Sequence, residues 1–260
     1  MAEPADLDVP WTRSAAASRV RELLIRGVLG PLMDIYTRRR VNGRERLDGL
    51  PGPAVFVANH NSHMDTPLIL RTLPSRWRRR TAVAAATDYF YTKRRNALAA
   101  SLVFGTVPLD RSSGAGVGPG QTAHLDSLID SSGSLLMFPE GTRSRDGRVG
   151  RLRAGAALLA AEHQLPIVPI YLSGTRAAMP RGHHWMVFKA GRPGPRHSLE
   201  IRFGKPIFPR ADDDPGEVME RVRLFFAACG AETERGAETE RGAKTEREPP
   251  AEPADRRQPA

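Results

Sequence analysis

The chain has 260 residues, 40% of them apolar, which suffices for the core of one sizeable domain and excludes a wholly disordered polyampholyte. Its single cysteine, Cys229, excludes a disulfide framework and any cysteine-based zinc cluster. A net charge of +10 leaves three classes of partner: nucleic acid, an anionic membrane, or a phosphorylated ligand.

In chain order, residues 1–14 are mostly acidic and polar and lack the apolar run of a signal peptide, so a flexible N-terminus is expected. Residues 15–39 carry helical periodicity. Val20, Leu23, Leu24, Gly27 and Val28 share one face, and Arg19, Glu22 and Arg26 the other. Arg21 falls at the edge of the apolar stripe, where a long side chain can snorkel. Gly30-Pro31 should break or kink the helix. The charges at Arg19, Arg21, Glu22, Arg26 and Asp34 are too many for a bilayer span. Such a segment either lies in a membrane interface or packs its apolar face on its own domain.

From Pro51 onward short apolar runs alternate with helical stretches. Strands are expected at 54–58, 81–86, 107–109, 135–138, 167–172, 185–190 and 199–203, and helices at 66–73, 93–104, 118–132, 153–163 and 215–229. This alternation implies an α/β layered fold whose central sheet is largely parallel or mixed. Ligands in such sheets sit at the carboxyl ends of strands.

The last segment, 230–260, opens with GAETER, GAETER and GAKTER, then turns Pro- and charge-rich. With no apolar residue larger than Ala in the repeat, it cannot offset its ordering entropy by burial and should be disordered. It holds 8 acidic and 6 basic residues, so the body up to Cys229 carries +12. Four units are therefore expected: a flexible terminus at 1–14, an amphipathic helical segment at 15–39, a folded domain at 40–229 and the charged tail at 230–260.

Four loops carry chemistry. Asn59-His60-Asn61-Ser62-His63-Met64-Asp65 follows the strand at 54–58 and enters a helix with Pro67 in its first turn. A strand-to-helix turn can fold His60 and Asp65 toward each other, and an imidazole held by a carboxylate can take the proton of a hydroxyl nucleophile. The plain alternative makes Asp65 a helix cap; His63 reads as a supporting or surface histidine. Phe138-Pro139-Glu140-Gly141-Thr142-Arg143-Ser144 follows the strand at 135–138. Gly141 permits a tight backbone, the hydroxyls donate, and Arg143 offers a planar fork, which suits a phosphate as well as a Pro-Gly turn with a solvated arginine. Gly105–Arg111 ends in a cation after a short strand. Val168-Pro169-Ile170 is an apolar strand whose proline implies an edge or a bulge.

These four blocks, in this order, resemble those of the glycerolipid acyltransferase superfamily, specifically the 1-acylglycerol-3-phosphate O-acyltransferases. His60 to Asp65 matches the H-x4-D block in its N-H-x-S-x-x-D form, and Phe138–Ser144 reads F-P-E-G-T-R-S letter for letter. Gly105–Arg111 matches the second block and Val168–Ile170 the fourth. The resemblance spans about residues 40–210 and implies a glycerolipid-acyltransferase-like layered fold behind the amphipathic segment. By that resemblance His60 is the general base and Asp65 orients it. Arg111, Glu140, Gly141, Thr142 and Arg143 hold the acceptor phosphate, with Glu140 positioning Arg143 or a glycerol hydroxyl, and Val168, Pro169 and Ile170 line the acyl region. The implied reaction moves a fatty acyl group from acyl-CoA or acyl carrier protein to lysophosphatidic acid, giving phosphatidic acid with no metal or redox cofactor. Peripheral attachment to an anionic membrane surface, on the cytoplasmic face of the cell membrane, goes with it. Two alternatives stand beside this reading: the same chemistry on glycerol 3-phosphate, another lysophospholipid or a glycolipid, and a non-catalytic lipid-binding protein. No nucleic-acid module is recognisable, and 6% aromatic residues leave little aromatic–basic interleaving.

Overall fold

The computed structural model describes residues 9–86, 101–109, 123–191 and 193–232. The sheet follows from strands that must be buried on both faces. In β2 (Val55–Ala58), Val55 and Val57 join one apolar cluster while Phe56 and Ala58 join another, and all four are fully buried. The other strands are β1 (Thr37–Asn42), β3 (Thr81–Ala86), β4 (Thr106–Leu109), β5 (Ser134–Met137), β6 (Ile167–Ser173) and β7 (His197–Phe203). They form one seven-stranded sheet in the order β1-β7-β6-β2-β5-β3-β4. Every neighbouring pair is parallel except β6 with β7, so the sheet is mostly parallel with a two-strand reversed edge.

Helices cover both faces. On one lie α1 (Ala15–Leu23), α2 (Gly30–Tyr36), α3 (Asp65–Thr72) and α4 (Ser75–Arg78), whose Leu68, Leu70 and Trp77, with Ile25 and Met33, pack with Phe56, Leu136, Val168 and Phe203. On the other lie α5 (Ala123–Asp130), α6 (Gly155–Glu162) and α8 (Pro215–Ala228), which bring Leu125, Leu159 and Val222 to Val57, Leu135 and Ile167. The short α7 (Thr175–Ala178) follows β6. The expected α/β layered fold with an N-terminal helical segment is the one observed. Of the expected helices, 93–100 and 118–122 lie outside the described residues, as do 1–8 and 233–260.

Three local expectations are corrected and one pair of alternatives is resolved. The chain does not break at Gly30-Pro31. Residues Leu24–Leu29 form a π-helical turn between α1 and α2, the backbone staying helical, and the Gly30 N–H reaches the carbonyl of Ile25. Widening the turn just upstream accommodates the proline while the backbone dihedrals stay helical. Residues 185–190 form no strand, because β7 already occupies the slot beside β6. Met186 drops into the core, and Phe188 stacks on Tyr36 at 4.5 Å. Conversely, β1 lies in the run Thr37-Arg38-Arg39-Arg40-Val41-Asn42, which has no apolar alternation. It pairs as an edge strand with only Thr37 buried, so backbone bonding rather than burial places it. Of the two alternatives for Pro169, an edge or a bulge, the bulge holds, since β6 is an interior strand. From Ile170 back to Ile167 is three steps, while their partners Phe203 and Ile207 are four apart, and that extra residue opens the ladder where the proline has no N–H to give.

The N-terminal helices face the opposite way from a simple core-packing arrangement. Val20, Leu23, Val28 and Ile35 are exposed, Leu23 by 72%, whereas Ala17, Arg21, Ile25 and Met33 point inward. Arg21 does not snorkel; it is buried. Glu22 binds Arg78 at 2.8 Å and Asp34 binds Arg71 bidentately, so ion pairs to α4 and α3 fasten the helices with their apolar stripe turned outward. No helix among the described residues is long and apolar enough to cross a membrane.

Candidate active site

Because β2 and β5 are parallel neighbours, the loops after them emerge side by side at one edge of the sheet. The first begins with Asn59, fully buried, whose side-chain amide accepts from the N–H of Leu172 at 2.7 Å and donates to its carbonyl at 3.0 Å. A side chain thereby copies one more rung of backbone pairing to β6. Ser62 then donates to the carbonyl of Met179 at 2.8 Å. Between these two anchors the loop curls so that Asp65 faces back on it. Asp65 Oδ2 accepts the N–H of Asn61 at 2.6 Å and of Ser62 at 2.7 Å, and lies 3.0 Å from His60 Nδ1. Asp65 is the first residue of α3 and caps nothing; its carboxylate closes the preceding turn instead.

The consequence is a defined tautomer. An ionised carboxylate can only accept, so His60 Nδ1 carries the proton and Nε2 keeps its lone pair. The imidazole stacks on Phe138 with centroids 4.1 Å apart, and 19% of its side chain remains exposed. Asp65 itself is fully buried, and its Oδ1 has no hydrogen-bond partner among the described residues.

Glu140 joins the second loop to the first. Its Oε1 accepts the N–H of His60 at 2.8 Å and its Oε2 the N–H of Gly150 at 3.1 Å. Ser144 N–H returns a bond to the carbonyl of His60 at 2.8 Å. Both carboxylate oxygens are therefore spent on backbone, and burial pushes the Glu140 carboxyl above its ordinary range, against the pull of those two N–H groups. Among the described residues its hydrogen bonds go to backbone N–H groups and none to Arg143, so its positioning acts on the His60 loop rather than on Arg143. A buried carboxylate would in any case repel a phosphate.

Gly141 takes φ +72°, and a Cβ there would lie 3.2 Å from Arg153 Nε. Thr142 is exposed and Arg143 half-buried, and among the described residues Arg143 has neither a hydrogen bond nor an ion pair. His63 sits in the same cationic neighbourhood. Its own burial, then the charges of Arg143 and His60, press its pKa down to about 4, so it is neutral near pH 7.

Of the expected residues, the structure thus brings together His60, Asp65, Glu140, Gly141, Thr142 and Arg143. Arg111 lies outside the described residues. Val168, Pro169 and Ile170 are not gathered into this group: they are buried mid-strand, Val168 and Ile170 in the core cluster with Phe56. Sequence reasoning missed Asn59 and Ser62 as anchors, although both stand inside the N-H-x-S-x-x-D block. It also missed Arg153, a second guanidinium against the Gly141 turn ten residues beyond Arg143.

The chain is similar to known proteins of one family. The family model described as Acyltransferase matches residues 38–173. The chloroplastic 1-acyl-sn-glycerol-3-phosphate acyltransferase BAT2 of Brassica napus is 32% identical over 154 residues, 56% of this chain and 40% of that protein. The 1-acyl-sn-glycerol-3-phosphate acyltransferase of Saccharomyces cerevisiae is 29% identical over 188 residues, 71% of this chain and 57% of that protein. The matches thus span about half the length of these curated relatives. Among solved structures, the 1-acyl-sn-glycerophosphate acyltransferase PlsC of Thermotoga maritima superposes with a TM-score of 0.61 at 21% identity, covering 83% of this chain and 82% of that one. A family match over more than half the chain, joined to the same fold, places the sequence: it belongs to the acyltransferase family, among relatives named 1-acyl-sn-glycerol-3-phosphate acyltransferases.

Proposed function

We propose that the protein transfers a fatty acyl group from an acyl thioester, acyl-CoA or acyl carrier protein, to the free hydroxyl of 1-acylglycerol 3-phosphate, forming phosphatidic acid for phospholipid synthesis. The observation that carries this reading is the His60–Asp65 pair at 3.0 Å, with Nε2 left basic, on a loop fastened to the one bearing Arg143. The acceptor hydroxyl attacks the thioester carbonyl carbon while its proton passes to His60 Nε2. The new C–O bond forms, the C–S bond breaks, and the imidazolium, balanced by Asp65, returns the proton to the departing thiolate. No covalent acyl-enzyme is needed. Arg143 supplies a bidentate fork for the acceptor phosphate, with Thr142 donating, Gly141 keeping the turn tight and Arg153 adding a second cation. Glu140 is a positioning residue for His60. The outward stripe of Val20, Leu23, Val28 and Ile35, flanked by Arg19 and Arg26, supplies peripheral attachment to an anionic membrane on the cytoplasmic side.

The test uses two acceptors, lysophosphatidic acid and a monoacylglycerol lacking the phosphate. His60→Ala should lower turnover on both by about 10²–10⁴-fold. Arg143→Lys keeps the charge but loses the fork, which is worth about 1.5–3 kcal/mol or roughly 10–150-fold. That loss should fall on the KM for lysophosphatidic acid and spare the monoacylglycerol. Near-normal turnover in His60→Ala would remove the base, and equal losses on both acceptors in Arg143→Lys would remove the phosphate reading.

A further inference from the structure

Asp34, in the last turn of α2, draws arginines from three other places in the fold. Arg71 of α3 grips both carboxylate oxygens, Nη1 to Oδ1 at 2.8 Å and Nη2 to Oδ2. Arg39 of β1 donates from Nη1 to Oδ1 at 3.0 Å. Arg196, just before β7, donates from Nη1 to the Asp34 main-chain carbonyl at 3.1 Å. The backbone makes room for the group: a Cβ at Gly30 would stand 2.8 Å from Arg71 Nε. One carboxylate thus faces three guanidinium groups, so two positive charges are left uncompensated among these four residues. Burial, then the charge of Arg71, lowers the Arg39 pKa, with Arg44 pressing the same way and Asp34 opposing. Arginine stays protonated at neutral pH all the same.

The donors are not exhausted. Arg71 has both ends of its fork on Asp34, but Arg39 and Arg196 make no further hydrogen bond among the described residues, and both reach solvent. Each guanidinium carries five N–H groups, so two partly used forks and a surplus of charge stand together at the surface. A phosphate, with several acceptor oxygens and a negative charge, satisfies both needs. The position points to lipid. Ile35, 55% exposed, follows Asp34 directly and belongs to the outward apolar stripe. In the sheet β1 runs along β7, β7 runs against β6, and β6 runs along β2. β1 and β7 therefore begin at the end where β2 finishes and the His60 loop emerges. Asp34 and Arg196 lie just ahead of those two strands, at that same end of the sheet.

We infer that Arg39 and Arg196, backed by the Arg71–Asp34 pair, form a site for the phosphate of an anionic phospholipid headgroup, separate from the loop bearing Arg143. The inference rests on the reading of the outward stripe as a membrane contact and deepens it. The stripe enters the bilayer, and the arginines hold a headgroup beside it, at the end of the sheet that carries His60.

The experiment measures co-sedimentation of the full chain with phosphatidylcholine vesicles, with and without phosphatidylglycerol, and thermal unfolding alongside. Arg39→Gln/Arg196→Gln opens the site and keeps the Arg71–Asp34 pair. Arg38→Gln/Arg40→Gln removes the same charge from the other face of β1, where both side chains are exposed. An arginine at an anionic membrane surface is worth about fivefold in binding, so the first double variant should bind phosphatidylglycerol vesicles about 30-fold more weakly. The second should stay within about threefold of wild type, through long-range attraction alone. Turnover on a short-chain, monomeric acceptor without vesicles should stay near wild type in both. If Arg39→Gln/Arg196→Gln does not fold, Arg196→Gln alone decides, with a loss of about fivefold. Equal losses in the two double variants would show diffuse charge and no site. Vesicle binding kept while thermal stability falls would show that Arg39 and Arg196 only fasten α2. Either result overturns the inference and leaves the stripe as the membrane contact. A wild type that binds phosphatidylglycerol vesicles no better than phosphatidylcholine overturns the anionic-membrane reading, and this inference with it.

Discussion

At the scale of single residues, the site depends on where buried carboxylates place their oxygens. Asp65 and Glu140 both accept backbone N–H groups of the His60 loop, but only Asp65, which is fully buried, reaches the imidazole. Glu140→Gln turns one accepting oxygen into an NH2 that confronts a backbone N–H. Loss of one such bond costs about 1–3 kcal/mol. We expect kcat reduced about tenfold or more through a displaced His60, with the acceptor KM little changed; a rise in acceptor KM at constant kcat would instead return Glu140 to the phosphate site. His63 gives a pH prediction. Its folded pKa, about 4, lies below the ordinary 6.5, so the unfolded chain takes up a proton that the folded one resists. The stability this group contributes is complete above pH 6.5 and lost as pH falls from 6.5 toward 4. Urea unfolding at pH 7 and pH 5 should show a larger drop for wild type than for His63→Gln, and equal drops would mean that His63 does not resist protonation in the fold.

At the scale of elements, legibility followed burial. β3 was readable residue for residue at 81–86, and β2, β5 and β6 to within a residue or so, because two-sided burial writes a continuous apolar run. β1 was invisible because an edge strand of arginines is placed by backbone pairing, which leaves no side-chain pattern. Residues 185–190 read as a strand for the converse reason: Trp185, Met186, Val187 and Phe188 are apolar, but Met186 alone of them is buried, Phe188 stacks on Tyr36 and Trp185 is exposed. The chemical residues of the site were legible as types at fixed spacing, whereas the supports were not. The two bonds of Asn59 to Leu172 join residues 113 apart, and local sequence carries no trace of such a pairing. Asn59→Ala would leave a buried N–H and C=O on β6 without partners, at a cost of about 1–3 kcal/mol. The urea midpoint should fall accordingly, with Asn59→Asp recovering only the bond from the Leu172 N–H. A midpoint unchanged in Asn59→Ala would show that the loop holds its place without this rung.

At the scale of the whole molecule, charge and apolar surface fall on the same helical segment. The folded body carries the chain's positive charge, and the N-terminal helices turn Val20, Leu23, Val28 and Ile35 outward while Glu22 and Asp34 bind Arg78 and Arg71 inward. The carboxylates nearest the stripe are thus engaged by the domain, and Arg19 and Arg26 remain at the surface beside it. An anionic bilayer would meet apolar side chains rimmed by cations, the combination that holds an interfacial helix in the headgroup region. Leu23→Glu/Val28→Glu tests this without touching the core, since both side chains are exposed and the Arg21 and Ile25 contacts lie on the far side of the helix. Each lost insertion is worth about 1.5 kcal/mol at the low end, so the pair should weaken co-sedimentation with anionic vesicles by about 100-fold. Thermal unfolding and turnover on a monomeric acceptor should stay near wild type, while turnover on vesicle-borne acceptor falls. Truncation after Glu232 should leave both binding and activity intact, whereas a cut after Cys229 would also remove the bonds of Glu232 to Val149 N–H at 2.8 Å and to Arg148 at 3.1 Å. Vesicle binding undiminished in the double variant would move the membrane contact to another surface, and vesicle binding lost on truncation after Glu232 would move it to the tail.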